Sequence, residues 1–209
     1  MFITIEGGEG VGKTTQIKAV RKWLEERGHL VVATREPGGT PLAEAIRNVV
    51  VSAEQADVPP LSELLLMFAA RVSHIESVIA PALAAGKTVL CDRFIDASYA
   101  YQGGGRGLPS EQIETLERWL PTAAQPDLTI LIDAPIEVGL ERARRRGESD
   151  RFEQEAMVFF RRVCDAYLAR ARQFPQRFIV IDAGRRPPKR ITADILARLE
   201  ERLAGAKVE

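Results

Sequence analysis

Residues 7–14 read Gly7-Gly8-Glu9-Gly10-Val11-Gly12-Lys13-Thr14: a glycine, four residues, then Gly-Lys-Thr. This is the P-loop spacing. Glycines let such a loop turn its backbone N–H groups inward onto phosphate oxygens, and a helix starting near Lys13 adds the positive end of its dipole. Lys13 is placed to reach the outer phosphates of a nucleoside triphosphate, and the Thr14 hydroxyl to meet its Mg²⁺. Gly7 through Thr15 are therefore the expected triphosphate cradle. Further along, apolar Val89-Leu90 lead into Asp92, where a second carboxylate would help to hold the same ion. Arg35 follows the second predicted strand, Arg47 lies one helix later, Arg71 lies in the long helix, and Arg93 stands beside Asp92, all near the predicted binding edge. Four guanidinium groups there suit a second phosphate close to the first.

The elements that must carry these residues alternate. Apolar runs predict strands at Phe2–Glu6, Leu30–Thr34, Thr88–Cys91, Leu128–Asp133 and Phe178–Asp182. Helical spacing of apolar residues predicts a first helix ended by Gly28, a second near Pro41–Val51, and a long one over Leu61–Ala85 with a bend at Pro81. Further helices are expected near 136–146, 153–172 and 189–204. The stretch 93–127 receives no element. Strands alternating with helices imply crossovers, hence an α/β, P-loop NTPase fold: a five-stranded parallel sheet with helices on both faces. Ligands in such sheets sit at the carboxyl ends of the strands.

The chain has 209 residues, with 29 basic and 29 acidic side chains, so no global charge draws it to nucleic acid. No apolar run reaches the roughly 20 residues that a bilayer span needs. Glu6 follows Met1 too closely for a secretory signal, and two cysteines build no disulfide framework, so a reducing, cytoplasmic setting is expected. Three P-loop classes compete. A guanine-reading switch needs Asn-Lys-x-Asp, yet Asn48 is the only asparagine and Val49 follows it. A motor or partition ATPase would carry more sequence for its partner. A small-molecule kinase needs a second anion site, which the arginines supply.

Three further motifs resemble those of bacterial thymidylate kinases over essentially the whole chain: Thr34-Arg35-Glu36-Pro37-Gly38-Gly39-Thr40, Asp92-Arg93-Phe94, and Ala100-Tyr101-Gln102-Gly103-Gly104-Gly105-Arg106-Gly107. The resemblance implies a single kinase domain over 1–209 with a short lid insertion near 142–153. It implies ATP as phosphoryl donor, thymidine monophosphate as acceptor, Mg²⁺ as cofactor, and a homodimer without nucleic-acid or membrane partners. Glu9 would accept a hydrogen bond from the sugar 3′-hydroxyl, and Arg47 and Arg93 would hold the acceptor phosphate. Arg71, Ser98 and Gln102 would read the base, Tyr101 would press on the sugar, and Glu36-Pro37 would form a cis turn beside the base. The family places a Phe four residues before the base-reading Arg; here Met67 stands there and Phe68 three before, so either can cover the base. The P-loop lacks an Arg, which points to the type whose catalytic arginine lies in the lid, with Arg146 leading and Arg142 and Arg151 close behind. Asp182-Ala183-Gly184 resembles the loop that borders adenine. Leu64, Leu65 and Ile75 stand open as interface or core. A kinase for another pyrimidine monophosphate, or an ATP-binding switch, is the alternative. Nucleic-acid binding by the Arg-rich stretch is disfavoured by Glu148, Asp150, Glu153 and Glu155 nearby.

Overall fold

The computed structural model describes residues 1–51, 58–144 and 153–205. Strands β1 (Phe2–Glu6), β2 (Val31–Arg35), β3 (Thr88–Asp92), β4 (Leu128–Asp133) and β5 (Phe178–Asp182) pair in parallel in the order β2-β3-β1-β4-β5. The chain runs outward from β1 to one side and later to the other, so the switch point lies where β1 meets β3 and β4. Strand β2 runs one residue later than expected because Arg35 pairs with Asp92, which in turn extends β3.

Alternation divides each strand between two cores, as a sheet covered on both faces requires. Ile3, Ile5, Leu90, Ile130 and Ile132 pack with Val20 and Leu24 of α1 (Lys13–Glu25) and with Ile191, Ile195 and Leu199 of α9 (Pro188–Gly205). Phe2, Val89 and Cys91 turn the other way, onto α3 (Pro60–His74) and onto α5 (Ile95–Ser98), which runs on as a π-helix over Tyr99–Gly105. Leu131 and Phe178 meet Val163, Tyr167 and Ala171 of α8 (Glu153–Gln173). The remaining helices are α2 (Pro41–Val51), α4 (Ala80–Ala84), α6 (Ser110–Glu117) and α7 (Ile136–Arg144).

The long helix expected at Leu61–Ala85 is interrupted earlier than Pro81, by a π turn over Ile75–Ile79 between α3 and α4. Proline supplies no N–H and crowds the preceding turn, so the ladder widens there: the Ala80 N–H reaches back to the carbonyl of Ile75. Contrary to the expectation that no run is apolar enough, Pro60–Ala84 is long and apolar enough to cross a membrane by length and composition. Its Leu64, Phe68, Ile75 and Ile79 lie in the core, and its Glu63, Arg71 and His74 are buried with polar partners, which is the pattern of a core helix. Leu64 and Ile75 are thereby core, whereas Leu65 is exposed.

The helix at Ile95–Gly105 escapes a propensity reading because it ends in three glycines, poor helix formers. They are needed for close packing. A Cβ on Gly104 would stand 2.6 Å from the Arg162 carbonyl oxygen and 2.7 Å from Ala166 Cβ, and one on Gly105 would enter the Phe159 ring. Gly104→Ala therefore sets a helix preference of about 0.5–1 kcal/mol in favour of Ala against an overpacking cost of about 1–3 kcal/mol. Urea unfolding should show a net loss of stability; a gain would mean that α8 does not press on this helix.

Candidate active site

The P-loop leaves β1 at the switch point. Gly7 and Gly10 have φ of 142° and 68°, and a side chain on either would strike backbone, the Ile132 carbonyl or the Gly139 carbonyl respectively. Gly139 of α7 is equally constrained, since its own Cβ would meet the Glu9 carbonyl. Lys13 folds across the loop, donating to the carbonyls of Gly7 at 3.1 Å and Gly8 at 2.7 Å. Burial pushes its ammonium down to about 8, and the Arg93 charge pushes the same way, against the pull of Glu9, Asp92 and Glu6. Phosphate oxygens would reverse that balance. Thr14 and Thr15 are exposed in the first turn of α1.

At the end of β3, Asp92 Oδ1 is buried with no hydrogen-bond partner among the described residues. An acceptor in that condition beside a phosphate cradle fits a cation or its water. Arg93 follows with φ 67°, a left-handed backbone unusual for arginine. That turn brings its guanidinium to Glu9: Nη2 donates to Oε1 at 2.7 Å, the Tyr101 hydroxyl donates to the same oxygen at 3.1 Å, and Arg93 lies 4.6 Å from the Tyr101 ring centroid. Burial works against ionising Glu9, but Arg93 and Lys13 outweigh it and hold the carboxyl below its usual range.

The Thr34–Thr40 motif builds the neighbouring wall. Glu36 accepts from Arg71 Nε at 2.7 Å and pairs with His74 Nδ1 at 3.0 Å, while His74 Nε2 and Thr34 Oγ1 are 2.6 Å apart. The Glu36–Pro37 bond is cis, and the Pro37 carbonyl accepts from Arg47 Nη1 at 3.0 Å. Gly39 must lack a side chain, because a Cβ would come within 2.7 Å of the His74 ring. Thr40 caps α2 by accepting the Ala43 N–H. Arg71 has no exposure at all and also donates to Ser98 Oγ and to the Phe94 carbonyl, both at 3.0 Å.

Arg47, Arg71 and Arg93 are thus fixed by carbonyls and carboxylates around one corner. Arg35 is not among them: it is exposed and paired with both oxygens of Glu44. Phe68 lies in the core with the Arg71 guanidinium over its ring, at 4.9 Å, whereas Met67 is buried outside the core clusters. Gln102 donates to Glu63 at 2.8 Å. Asp182–Gly184 lies at the end of β5, where the Ala183 N–H donates to the Asp133 carbonyl. Arg146 and Arg151 lie outside the described residues, as does the side chain of Arg142.

A residue that carries no role in the sequence motifs is Glu6. Its carboxyl accepts the Phe94 N–H at 2.7 Å and the Tyr167 hydroxyl at 2.8 Å, so it anchors the turn that aims Arg93. Burial, and then the Asp96 charge, lift it to about 8. A carboxyl ending a strand of apolar Phe2, Ile3 and Ile5 was the available signal. The folded chain therefore holds this proton more tightly than the unfolded chain, whose value is the ordinary 4.5. The stability it contributes is full below 4.5 and is lost as pH rises towards 8. Urea midpoints across that window should fall with pH more steeply for wild type than for Glu6→Gln. Parallel curves would mean that Glu6 titrates normally.

The thymidylate kinase family model matches residues 5–195. A thymidylate kinase of Chromohalobacter salexigens is 56% identical over 206 residues, covering 98% of this chain and 97% of that protein. One of Methylococcus capsulatus is 52% identical over 204 residues, covering 98% and 97%. The crystal structure of thymidylate kinase from Ehrlichia chaffeensis superposes with a TM-score of 0.78 at 34% identity, covering 96% of this chain and 98% of that one. The chain belongs to the thymidylate kinase family.

Proposed function

We infer that the chain is a dTMP kinase, transferring the γ-phosphate of ATP to thymidine monophosphate to give thymidine diphosphate on the route to dTTP. The observation that carries the reading is the Arg93–Glu9 pair, which joins the triphosphate loop to the second arginine site. The acceptor phosphate is itself ionised, so no general base is required; positioning and charge stabilisation do the work. Arg93 and Arg47 hold the acceptor phosphate, Glu9 receives the 3′-hydroxyl, and Tyr101 borders the sugar. Arg71, Ser98 and Gln102 face the base, with Pro37 and Met67 beside it. Lys13 holds the donor phosphates within the Gly7–Thr15 cradle. Mg²⁺, held through the Thr14 hydroxyl and Asp92, would supply neutralising charge on the β- and γ-phosphates.

Arg146, with Arg142 and Arg151 as alternatives, supplies the final positive charge to the transferring group. Exposed Leu61, Leu65 and Val72 on α3 and Leu42 and Val49 on α2 suit a homodimer, which the native mass of the chain in solution decides. Cys91 and Cys164 are free, in keeping with a reducing cytoplasm.

Lys13→Ala should nearly abolish turnover with the fold intact, and turnover within about tenfold of wild type would refute the cradle. Arg146→Ala should lower kcat by about 10³ or more; an effect on KM alone would move the role to Arg142 or Arg151.

A further inference from the structure

Among the described residues, Arg93 carries the one left-handed backbone outside glycine, with φ 67°. A conformation of that kind persists only where the surroundings over-determine it. Here they grip the chain on both sides of the next residue. The Arg93 N–H donates to the Ile5 carbonyl at 3.0 Å and the Phe94 N–H to the Glu6 carboxyl at 2.7 Å, while the Phe94 carbonyl accepts from Arg71 Nη2 at 3.0 Å. Glu6 is held in turn from α8, far along the chain: the Tyr167 hydroxyl donates to its other oxygen at 2.8 Å.

Tyr167 is buried, and its ring packs in the core with Leu131, Val163 and Ala171, as a Phe ring would. What sets it apart from Phe is the hydroxyl, which is committed to Glu6. Burial first, and the Glu6 carboxyl after it, lift the phenol well above its usual value, so the proton stays on the hydroxyl and can be donated. The same ring stands edge-on to Tyr101, 6.4 Å between centroids. Tyr101 shares the Glu9 oxygen with Arg93, and the Arg93 guanidinium lies 4.6 Å from its ring centroid. Tyr167 therefore backs Arg93 twice, its backbone through Glu6 and its side chain through Tyr101. We propose that Tyr167 is a positioning residue for the acceptor phosphate: without touching a ligand, its hydroxyl fixes Glu6, Glu6 fixes the Phe94 N–H, and the turn so held aims the Arg93 guanidinium. The inference rests on the dTMP kinase reading, in which Arg93 meets the acceptor phosphate, and adds to it a residue outside the phosphate and base motifs.

The test is Tyr167→Phe, which keeps the ring and deletes the hydroxyl, with dTMP and ATP affinities measured separately by titration calorimetry. The affinity for dTMP should fall about tenfold, and that for ATP should stay within about twofold of wild type. In an Arg93→Ala background the same change should cost no further dTMP affinity, because the group through which Tyr167 acts is gone. A folded Tyr167→Phe chain that binds dTMP as wild type does, whatever its melting temperature, overturns the role of Tyr167. So does one that loses both ligands alike, or whose loss adds in full to that of Arg93→Ala. Each of these leaves the dTMP kinase reading standing, whereas a wild-type chain that neither binds nor phosphorylates dTMP overturns that reading itself. Should Tyr167→Phe not fold, Glu6→Asp takes its place: the shorter carboxyl draws back from the Phe94 N–H, and the same results are expected.

Discussion

Two polyanions must lie end to end over the edge of one sheet, and their charges drive them apart. Two unit charges 4 Å apart at an effective dielectric of 20 repel by about 4 kcal/mol, so the opposing cations must already be in place. On the proposed reading Arg93 occupies the junction. Its left-handed backbone turns the guanidinium back over the P-loop, where Glu9 holds it. The turn is itself held by Glu6, whose carboxyl takes the Phe94 N–H. Burial favours the protonated form of Glu6, which lessens the negative charge that its anchoring role would otherwise add beside the phosphate cradle.

The same economy of charge governs the acceptor wall. A buried arginine is tolerated only where its donors are met. Arg71 is met three times, by Glu36, Ser98 and the Phe94 carbonyl. Glu36 is shared with His74, which is steadied by Thr34 and leaves no room for a side chain at Gly39. Thr34, Glu36 and the Pro37 carbonyl thus each hold another side chain of the site. These side chains are already hydrogen-bonded to one another without substrate, an arrangement that lowers the ordering cost at binding.

Much of this was legible in the sequence. All five strands were, because strands of a helix-covered parallel sheet read as short runs rich in apolar residues, even at the partly exposed edges β2 and β5; only the ends of β2 and β3, where polar Arg35 and Asp92 extend the pairing, shifted by a residue. The P-loop was legible because its glycines answer to backbone geometry alone. The helix at Ile95–Gly105 was not, since its glycines serve contact with α8, a long-range demand that no local propensity records. For the same reason Arg35 read as a phosphate ligand although Glu44 satisfies it, and Glu6 and Glu63 passed as ordinary acids although both hold a neighbour in position. Spacing places Met67 and Phe68 alike near Arg71; packing separates them, with Phe68 drawn beneath the guanidinium into the core.

The central claim is that Arg93 stands between two phosphate groups. A crystal structure of the enzyme with dTMP, a non-hydrolysable ATP analogue and Mg²⁺ tests it most directly. The guanidinium of Arg93 should lie within about 3 Å of acceptor-phosphate oxygens and face the terminal phosphate of the donor, with Arg47 on the same acceptor phosphate. Arg93 still bound to Glu9 alone, with both phosphates out of its reach, would contradict the account.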